Sequence, residues 1–271
     1  MSAKSLMSPI PSERLKLPEV TICAASSTNV EATILAIETS LAYVEPAEAI
    51  LFTDVDVSQV GLPISDAIRV VRIEELRSSS AYSHFIVDEL VKHIQSSHCL
   101  VVQWDGHIID PDRWSSEFLE YDYIGASWPQ FDDGRCVGNG GFSLRSRRLM
   151  EACLSPDFQS HHPEDIAICR TNRALLEKQG MRFGPADLAD MFSAERASDP
   201  SRTFGYHGVF LMPEVLGPEL FWELYLSLDE RGSLKPDFRA LRRAVNNGEN
   251  GGRRSLRMLG DRVADMILPK R

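Results

Sequence analysis

The sequence predicts an α/β protein with a mostly parallel central sheet flanked by helices. Short apolar runs without polar alternation are typical of strands that are buried on both faces of such a sheet. Segments with helical spacing of their apolar residues separate these runs, which is typical of parallel strands joined by helices. The chain of 271 residues is long enough for one large domain of this class or for two small ones.

The predicted elements follow one another regularly up to residue 103. A strand at residues 20–25 leads into a helix, for which Thr28 and Glu31 have the spacing of a capping box. Apolar residues at positions 30, 34, 37, 41 and 44 form one stripe of that helix. Strands are predicted next at residues 49–52 and 68–73, followed by a helix at 80–95 and a strand at 99–103.

The remaining sequence is less regular. A glycine-rich segment at 138–141 precedes a strand-like run at 142–145, and helices are predicted at 146–154 and 163–179. Residues 183–215 show no regular pattern, whereas helices are expected from residue 216, interrupted by an exposed loop at 246–252. We therefore predict a flexible leader (1–18), an α/β domain (19–215) and a helical, basic C-terminal extension (216–271).

Composition and motifs disfavour several functional classes. The formal net charge is -10, and residues 231–271 carry 11 Lys/Arg against 4 Asp/Glu, which leaves -17 for residues 1–230. An acidic body of this kind is a poor non-specific binder of nucleic acid. The sequence lacks both the dinucleotide-binding and the P-loop glycine motifs, which disfavours NAD-dependent and phosphoryl-transfer enzymes. Five cysteines without a C-x-x-C pair, and an N-terminus without an apolar signal region, indicate a reducing cytoplasm.

Polar residues follow the predicted strands, at the edge where open parallel sheets bind their ligands. These residues are 26–29, 53–54 and 105–107. Asp105 is the strongest candidate, because with His107 it forms a D-x-H pair that can share one divalent cation. The alternative is an acid that caps a turn. Asp54 forms a competing D-x-D with Asp56 and is a candidate contact to a donor substrate.

Three further segments allow a functional and a structural interpretation. The segment Gly138-Asn139-Gly140-Gly141 is either a hairpin turn with positive φ or a place where a sugar or phosphate approaches the backbone. Glu164 and Asp165 follow Pro163, where they either stabilise the first turn of a helix or supply a general base. His207 lies near two glycines, which favours a ligand contact, although a buried histidine bonded to a carbonyl fits equally well.

Several blocks of the sequence occur in an order that resembles a known family. The blocks are Q-W-D-G (103–106), Y-D-Y-I-G-A-x-W (121–128), G-N-G-G-F-S-L-R (138–145), P-E-D (163–165), F-S-x-E (192–195) and F-G-Y-H-G (204–208). Over residues 20–212 they resemble a family of GT-A-like glycosyltransferases that was first catalogued as a domain of unknown function.

The resemblance implies a GT-A fold and the transfer of a sugar from a nucleotide-activated donor, in the biosynthesis of a surface polysaccharide. It places Asp105 where such enzymes hold the donor and a divalent cation, Mn²⁺ or Mg²⁺, and His207 where a late histidine completes the metal site. His107 stands at a position that is usually aromatic in the family. Asp165, with Glu164 close behind, falls where inverting members place their carboxylate base.

The resulting hypothesis gives each candidate residue a role. The catalytic base is Asp165 or Glu164, and the metal ligands are Asp105 and His207. The donor is held by Ser27, Thr28, Asp54, Gln103, Trp104, Asp105, Asn139, Gly140 and Gly141. The acceptor is a hydroxyl of a glycan or of a lipid-linked molecule, and no nucleic acid is expected as a partner. The alternative is a nucleotide-sugar-binding or glycan-binding module without catalysis.

Aromatic and basic residues outside these sites also allow two interpretations. Trp104, Tyr123 and Trp128 either stack on a sugar or base or build the core. Near the C-terminus, arginines alternate with large apolar residues and predict a basic amphipathic helix; these are Arg253, Arg254, Arg257, Arg262, Leu256, Leu259, Val263 and Ile267. This helix either packs on the acidic body or makes peripheral contact with an anionic membrane surface.

Overall fold

A six-stranded sheet forms the centre of the computed structural model, which describes residues 5–267. Its strands are β1 (Leu15–Ala25), β2 (Val44–Thr53), β3 (Ile68–Arg72), β4 (His98–Val101), β5 (Tyr123–Ile124) and β6 (Ser143–Ser146). They lie in the order β3-β2-β1-β4-β6-β5. The first four strands are parallel, whereas β6 runs antiparallel to its neighbours β4 and β5.

Helices flank this sheet, and further helices come after its last strand in the sequence. They are α1 (Val30–Tyr43), α2 (Ser79–His84), α3 (Arg147–Cys153), α4 (Glu164–Ile166), α5 (Arg173–Lys178), α6 (Ala186–Phe192), α7 (Met212–Val215), α8 (Pro218–Ser227), α9 (Phe238–Asn246) and α10 (Gly251–Ile267). A π-helical turn (Phe85–Glu89) and a 3₁₀ turn (Leu90–His93) continue α2, and a second π-helical turn (Ala167–Thr171) joins α4 to α5. The predicted α/β class, with a mostly parallel sheet flanked by helices, is confirmed.

The central strands are buried because both of their faces are apolar. Ile22 of β1 packs with Ile34 of α1 in the apolar core on one face of the sheet. The adjacent residue Cys23 points to the other face, where it belongs to a core that contains Ile86 and Leu90. The unalternating apolar runs of the sequence are therefore explained by helices on both sides of the sheet.

Two strands begin earlier than their apolar runs predict. In β1 and β2 the outer residues alternate between buried and exposed, and residues 15–17 pair with residues 44–46. The flexible leader predicted for residues 1–18 is wrong over its last four residues, which belong to β1. Earlier in the leader, Ser8 N donates to the Ile109 carbonyl at 3.0 Å. Residues 1–4 of the leader lie outside the described residues, and the division into domains stays a prediction.

The start of α1 also differs from the prediction. The capping box of Thr28 and Glu31 is wrong, because the N-cap residue is Asn29, with φ 52° and no side-chain cap. Asn29 instead binds the segment that follows α8: its side-chain nitrogen donates to the Glu230 carbonyl at 2.9 Å, and Glu230 N donates to Asn29 Oδ1 at 2.9 Å. A long-range contact therefore decides this helix start.

Residues 183–215 are more regular than the sequence predicts. Besides α6 they contain β7 (Ser193–Ala194) and β8 (Gly205–Tyr206), which pair in parallel as a second sheet. His207 N then donates to the Ala194 carbonyl at 2.9 Å. Strands of two residues carry no apolar pattern, which explains why they were missed.

Helices α7 to α10 build a second apolar core beside the sheet. Phe221, Tyr225 and Leu241 are buried there together with Ala32 of α1. The prediction of helices from residue 216 is confirmed, and residues 268–271 of the extension lie outside the described residues. Among the described helices, none combines the length and the apolar character that a membrane span requires.

Candidate functional site

The candidate site lies at the carboxyl edge of the parallel strands. Strand β4 ends at Val101 and leads into the segment 103–107, while β6 enters the sheet in the opposite direction. The glycine segment 138–141 precedes β6 and therefore meets the end of β4. Because β6 runs antiparallel to β4, the glycine segment before β6 lies with the loop after β4 at the edge where open sheets bind ligands.

Asp105 is buried, at 7% exposure, in the loop after β4. Its Oδ2 accepts a hydrogen bond from Val209 N at 3.1 Å. Its Oδ1 lies 3.5 Å from His207 Nε2 and has no hydrogen-bond partner within residues 5–267. Burial raises the pKa of Asp105, although the positive charge of His207 opposes this rise. A buried carboxylate oxygen without a donor is costly unless a cation or a ligand group compensates it.

His207 stands between two carboxylates. Its Nδ1 lies 3.4 Å from Glu195 Oε1, and its Nε2 lies 3.3 Å from Gln103 Oε1 as well as near Asp105. Burial acts to lower the pKa of His207, but Asp105 and Glu195 outweigh it and raise the pKa to about 9. The ring is therefore protonated at neutral pH, and a metal ion that binds here has to displace that proton.

The donor atoms around His207 have the chemistry of a Mn²⁺ or Mg²⁺ site. Carboxylate oxygens from Asp105 and Glu195, an amide oxygen from Gln103 and an imidazole nitrogen suit these cations. Within residues 5–267, however, no three His, Cys, Asp or Glu side chains are grouped so that they could hold a metal ion. The residues therefore fit a cation by chemistry, without a preformed cage.

The glycine segment contacts the rest of the site directly. A Cβ added to Gly141 would overlap the ring of His207, and one added to Gly140 would overlap the Glu164 carboxylate. The positive φ of the segment, 64°, belongs to Asn139 and not to either glycine that follows it. A two-residue hairpin turn of the Asn-Gly type needs positive φ at both residues, so that interpretation is wrong. The glycines instead allow close approach of two candidate side chains.

Glu164 forms a buried ion pair at the start of α4. Arg145 Nη2 donates to its Oε1 at 3.3 Å, and Ser83 Oγ donates to its Oε2 at 3.0 Å. Arg145 and Glu164 are 1% and 5% exposed, respectively. Arg145 is also held by Ser143 Oγ at 3.0 Å and lies over the Tyr123 ring. Both oxygens of Glu164 are thus occupied by protein donors.

Asp165 has a different environment from its neighbour. Its two oxygens accept hydrogen bonds from backbone groups, Gly140 N at 3.2 Å and Ile166 N at 2.8 Å. The side chain is half-buried, and burial raises the pKa of Asp165, with the negative charge of Glu164 as a further cause. Arg145 opposes this rise through its charge, but Asp165 forms no ion pair within residues 5–267. A carboxylate with a raised pKa can accept a proton.

The other predicted donor contacts lie at the same edge but take part in local structure. Ser27 Oγ accepts from Leu76 N at 2.7 Å, and the Thr28 carbonyl accepts from Ser26 Oγ. Asp54 follows β2, and its Oδ1 is buried without a hydrogen-bond partner in the described chain. The competing acid Asp56 caps the turn at residues 57–59 instead.

The predicted D-x-H pair of Asp105 and His107 is not formed. The ring of His107 packs edge-on against Tyr206, its Nδ1 lies 2.7 Å from the Ile108 carbonyl, and burial lowers its pKa to about 4. Trp104 and His107 line an apolar groove of about 390 Å³ between α1 and α8. Side chains two residues apart point away from one another in this loop, so spacing alone was misleading.

Two of the three aromatic residues considered for stacking on a ligand belong to the core. Tyr123 is fully buried and donates to the Asn139 carbonyl at 3.0 Å, and Trp128 packs where Gly138 lacks a side chain.

Three residues that the sequence did not predict as site residues contact the candidate residues; they are Glu195, Arg145 and Ser83. Glu195 and Arg145 end two of the recognised sequence blocks, which was the available signal.

Comparisons with known proteins give matches among solved structures and one family. A mannosyltransferase, PcManGT from Pyrobaculum calidifontis, solved in complex with GDP-Man and Mn²⁺, is 13% identical, with a TM-score of 0.42. The alignment covers 98% of this chain and 79% of the mannosyltransferase chain. No curated protein matches the sequence.

The family comparison bears on the resemblance noted in the sequence. A family described as "Protein of unknown function (DUF5672)" matches residues 67–207, which is just over half of the chain and includes the Q-W-D-G, Y-D-Y-I-G-A and G-N-G-G blocks. The expectation of a family first catalogued as a domain of unknown function is confirmed to this extent. The chain belongs to the DUF5672 family.

Proposed function

We propose that the chain is a glycosyltransferase that moves a sugar from a nucleotide-activated donor to a hydroxyl of a glycan or glycolipid. One observation carries the proposal: the pair Asp105–His207 and the carboxylate Asp165 lie on either side of the glycines 140 and 141, at the carboxyl edge of the sheet. A group that binds a diphosphate and a group that accepts a proton are the two parts that such a reaction needs.

The donor side is assigned to the strand ends. Residues 27–28 and Asp54 hold the nucleotide, and the segments 103–105 and 139–141 hold the diphosphate and the sugar. A divalent cation, Mn²⁺ or Mg²⁺, held by Asp105 and His207 with Glu195 beside them, would neutralise the charge of the departing diphosphate. Asp105 Oδ1 has no hydrogen-bond partner in the described chain and faces His207 Nε2 at 3.5 Å, so a cation that displaces the His207 proton could bind both atoms.

The acceptor side is assigned to Asp165. Its carboxylate takes the proton of the acceptor hydroxyl, whose oxygen forms a bond to the anomeric carbon. The bond from that carbon to the phosphate oxygen breaks, and the nucleoside diphosphate leaves with the bonding electrons, so that the configuration inverts. Arg145 and Ser83 occupy both oxygens of Glu164, which supports Asp165 as the base and gives Glu164 a positioning role.

The biological setting is a further part of the proposal. Synthesis of a surface polysaccharide in the cytoplasm accords with the family resemblance and with the cysteine usage of the sequence. The five cysteines are all free thiols, and four of them are buried.

The test is the release of free nucleotide from a panel of nucleotide sugars, with and without Mn²⁺. We expect release with at least one donor, lowered about 10² to 10⁴-fold in Asp165→Asn, the range typical of a lost general base. The matched control is Glu117→Gln, which changes an exposed carboxylate that is not among the candidate site residues. It should leave the rate of nucleotide release unchanged. Wild-type activity in Asp165→Asn would refute the assignment of Asp165 as the base, and wild-type activity in Glu164→Gln as well would exclude both carboxylates.

The second candidate function is a nucleotide-sugar-binding or glycan-binding module without catalysis. The buried positive charge of His207 beside Asp105 would serve binding of a diphosphate as well as its departure. Donor binding by calorimetry without any nucleotide release would favour this alternative.

A further inference from the structure

Helix α10 has an inner face that is tied to the body. Met258 is fully buried, Arg254 forms an ion pair with Glu219, and Asp265 lies 3.5 Å from Arg231. These contacts fix the rotation of the helix about its axis. Of the two interpretations that the sequence allowed for this helix, packing on the acidic body therefore describes the inner face of α10.

The outer face of α10 carries large apolar side chains in solvent. At 100° per residue they fall within an arc of about 100° on the helix. Their exposed fractions run from 36% to 71%; they are Leu256, Leu259, Val263, Met266 and Ile267. No other segment of the described chain carries so many exposed large hydrophobic residues. We call these five residues the apolar face of α10.

Positive charge surrounds the apolar face, and negative charge is absent from it. Exposed arginines flank it on α10 and continue on α9; they are Arg253, Arg257, Arg262, Arg239 and Arg243. Of the two acids of α10, Asp261 accepts from Tyr225 Oη at 3.0 Å and pairs with Arg257 at 2.9 Å, and Asp265 pairs with Arg231. The exposed Arg253 and Arg262 of α10 have no ion pair in the described chain. The face is therefore apolar in the middle and basic at its edges.

We propose that α10 lies in the interfacial region of an anionic lipid bilayer, parallel to the membrane plane. The apolar face enters the boundary between headgroups and acyl chains, and the arginines meet the lipid phosphates. The 17 residues of α10 give a contact line of about 25 Å, at 1.5 Å per residue. Charge complementarity favours an anionic lipid surface over a second copy of this chain packed with its α10 against this α10, because such a symmetric contact would bring the same arginines of the two copies together. The inference does not depend on the proposed transferase reaction.

The test is flotation of the full-length chain with vesicles of phosphatidylcholine alone or mixed with phosphatidylglycerol. We expect binding to the anionic vesicles, little binding to the neutral ones, and weaker binding at high salt. Leu256→Asn should lower the partition coefficient about tenfold, because it removes one buried leucine from the interface. Arg253→Gln, at a residue without an ion-pair partner in the described chain, should lower it on anionic vesicles only.

The matched control is Leu154→Asn, at a leucine of similar exposure after α3, which should leave the partition coefficient unchanged. Thermal unfolding of each variant checks that the fold is intact. Failure of the wild type to float with anionic vesicles, or equal loss in Leu154→Asn and Leu256→Asn, overturns the proposal. A concentration-dependent dimer that Leu256→Asn converts to a monomer, without vesicle binding, would assign the face to a second copy instead. Nucleotide release is scored separately, so failure of the proposed reaction is distinguished from failure of membrane binding.

Discussion

Replacement of Arg145 by methionine should destabilise the fold strongly. The substitution keeps most of the apolar volume but leaves the buried carboxylate of Glu164 without its cation. Removal of one partner of a buried ion pair costs about 3–5 kcal/mol. For a chain of this size that loss corresponds to a decrease in melting temperature of about 6–20 °C. Arg145 also loses its bonds to Ser143 Oγ and the Gly140 carbonyl, so the upper half of the range is expected.

The assay is unfolding in urea and by heat at neutral pH, followed by circular dichroism. Glu164→Gln alone should also be destabilising, since it leaves the guanidinium of Arg145 buried without a counter-charge. The double variant Arg145→Met/Glu164→Gln should regain about 2 kcal/mol relative to the sum of the single losses. As a control, Arg77→Met breaks the exposed ion pair with Glu75 and should cost less than about 1 kcal/mol. The reasoning would be refuted if Arg145→Met lost as little unfolding free energy as the control variant. It would also be refuted if the loss in the double variant equalled the sum of the two single losses.

Three further outcomes can be checked with the same preparations. Gly141→Ala should displace His207 and lower nucleotide release about a hundredfold, a size typical of a displacement near 1 Å at a reacting group. Asp122→Asn should remove part of the loss of stability in acid. Burial acts to raise the pKa of Asp122, but hydrogen bonds from Arg148 and two other donors outweigh it and lower the pKa. The carboxylate therefore stabilises the fold above pH 3.8, and this stabilisation is lost as the pH falls through the lowered pKa. Urea unfolding between pH 2 and 6 should show a cost of about 1.5–3 kcal/mol at the upper end only. Gly260→Ala should raise the unfolding free energy by about 1 kcal/mol, because the added Cβ meets no atom and alanine favours the helix.

Each of these outcomes has a contrary result. Normal nucleotide release in Gly141→Ala would mean that the His207 ring can move without loss of function. A pH-independent cost in Asp122→Asn would assign its effect to packing rather than to charge. A lower melting temperature in Gly260→Ala would show that α10 is strained at this position.

The central strands were predictable because their burial is encoded locally. A strand covered by helices on both faces has to be apolar at nearly every position. Residues 99–101 satisfy this, as do residues 20–25 with Thr21 as the one polar side chain, without information from the rest of the chain. The outer ends of β1 and β2, residues 15–19 and 44–48, each contain charged residues and a proline, so they show no apolar run. Local pattern therefore located the middle of the sheet and missed its ends.

Features that depend on distant contacts could not be predicted in this way. The N-cap of α1 is decided by Asn29 and Glu230, which are 201 residues apart in sequence. His207 is held against Glu195 by strands of only two residues, which give no periodicity. The apolar face of α10 was visible as a pattern, but its exposure depends on which side of the helix packs against α8 and α9.

The two adjacent acids Glu164 and Asp165 show most clearly what the structure adds to the assignment of roles. Neighbouring residues on a helix point about 100° apart, so a site on one side of α4 can receive only one of them. Glu164 points toward the buried guanidinium of Arg145, where Arg145 and Ser83 occupy both of its oxygens. Asp165 points toward the glycine segment, and in the described chain its oxygens are bonded by backbone groups and form no ion pair. A general base has to release its protein contacts when it takes up a proton, and two backbone bonds oppose this far less than a buried ion pair. On that ground we propose Asp165 as the base of the proposed reaction and Glu164 as a residue that holds the loop facing it.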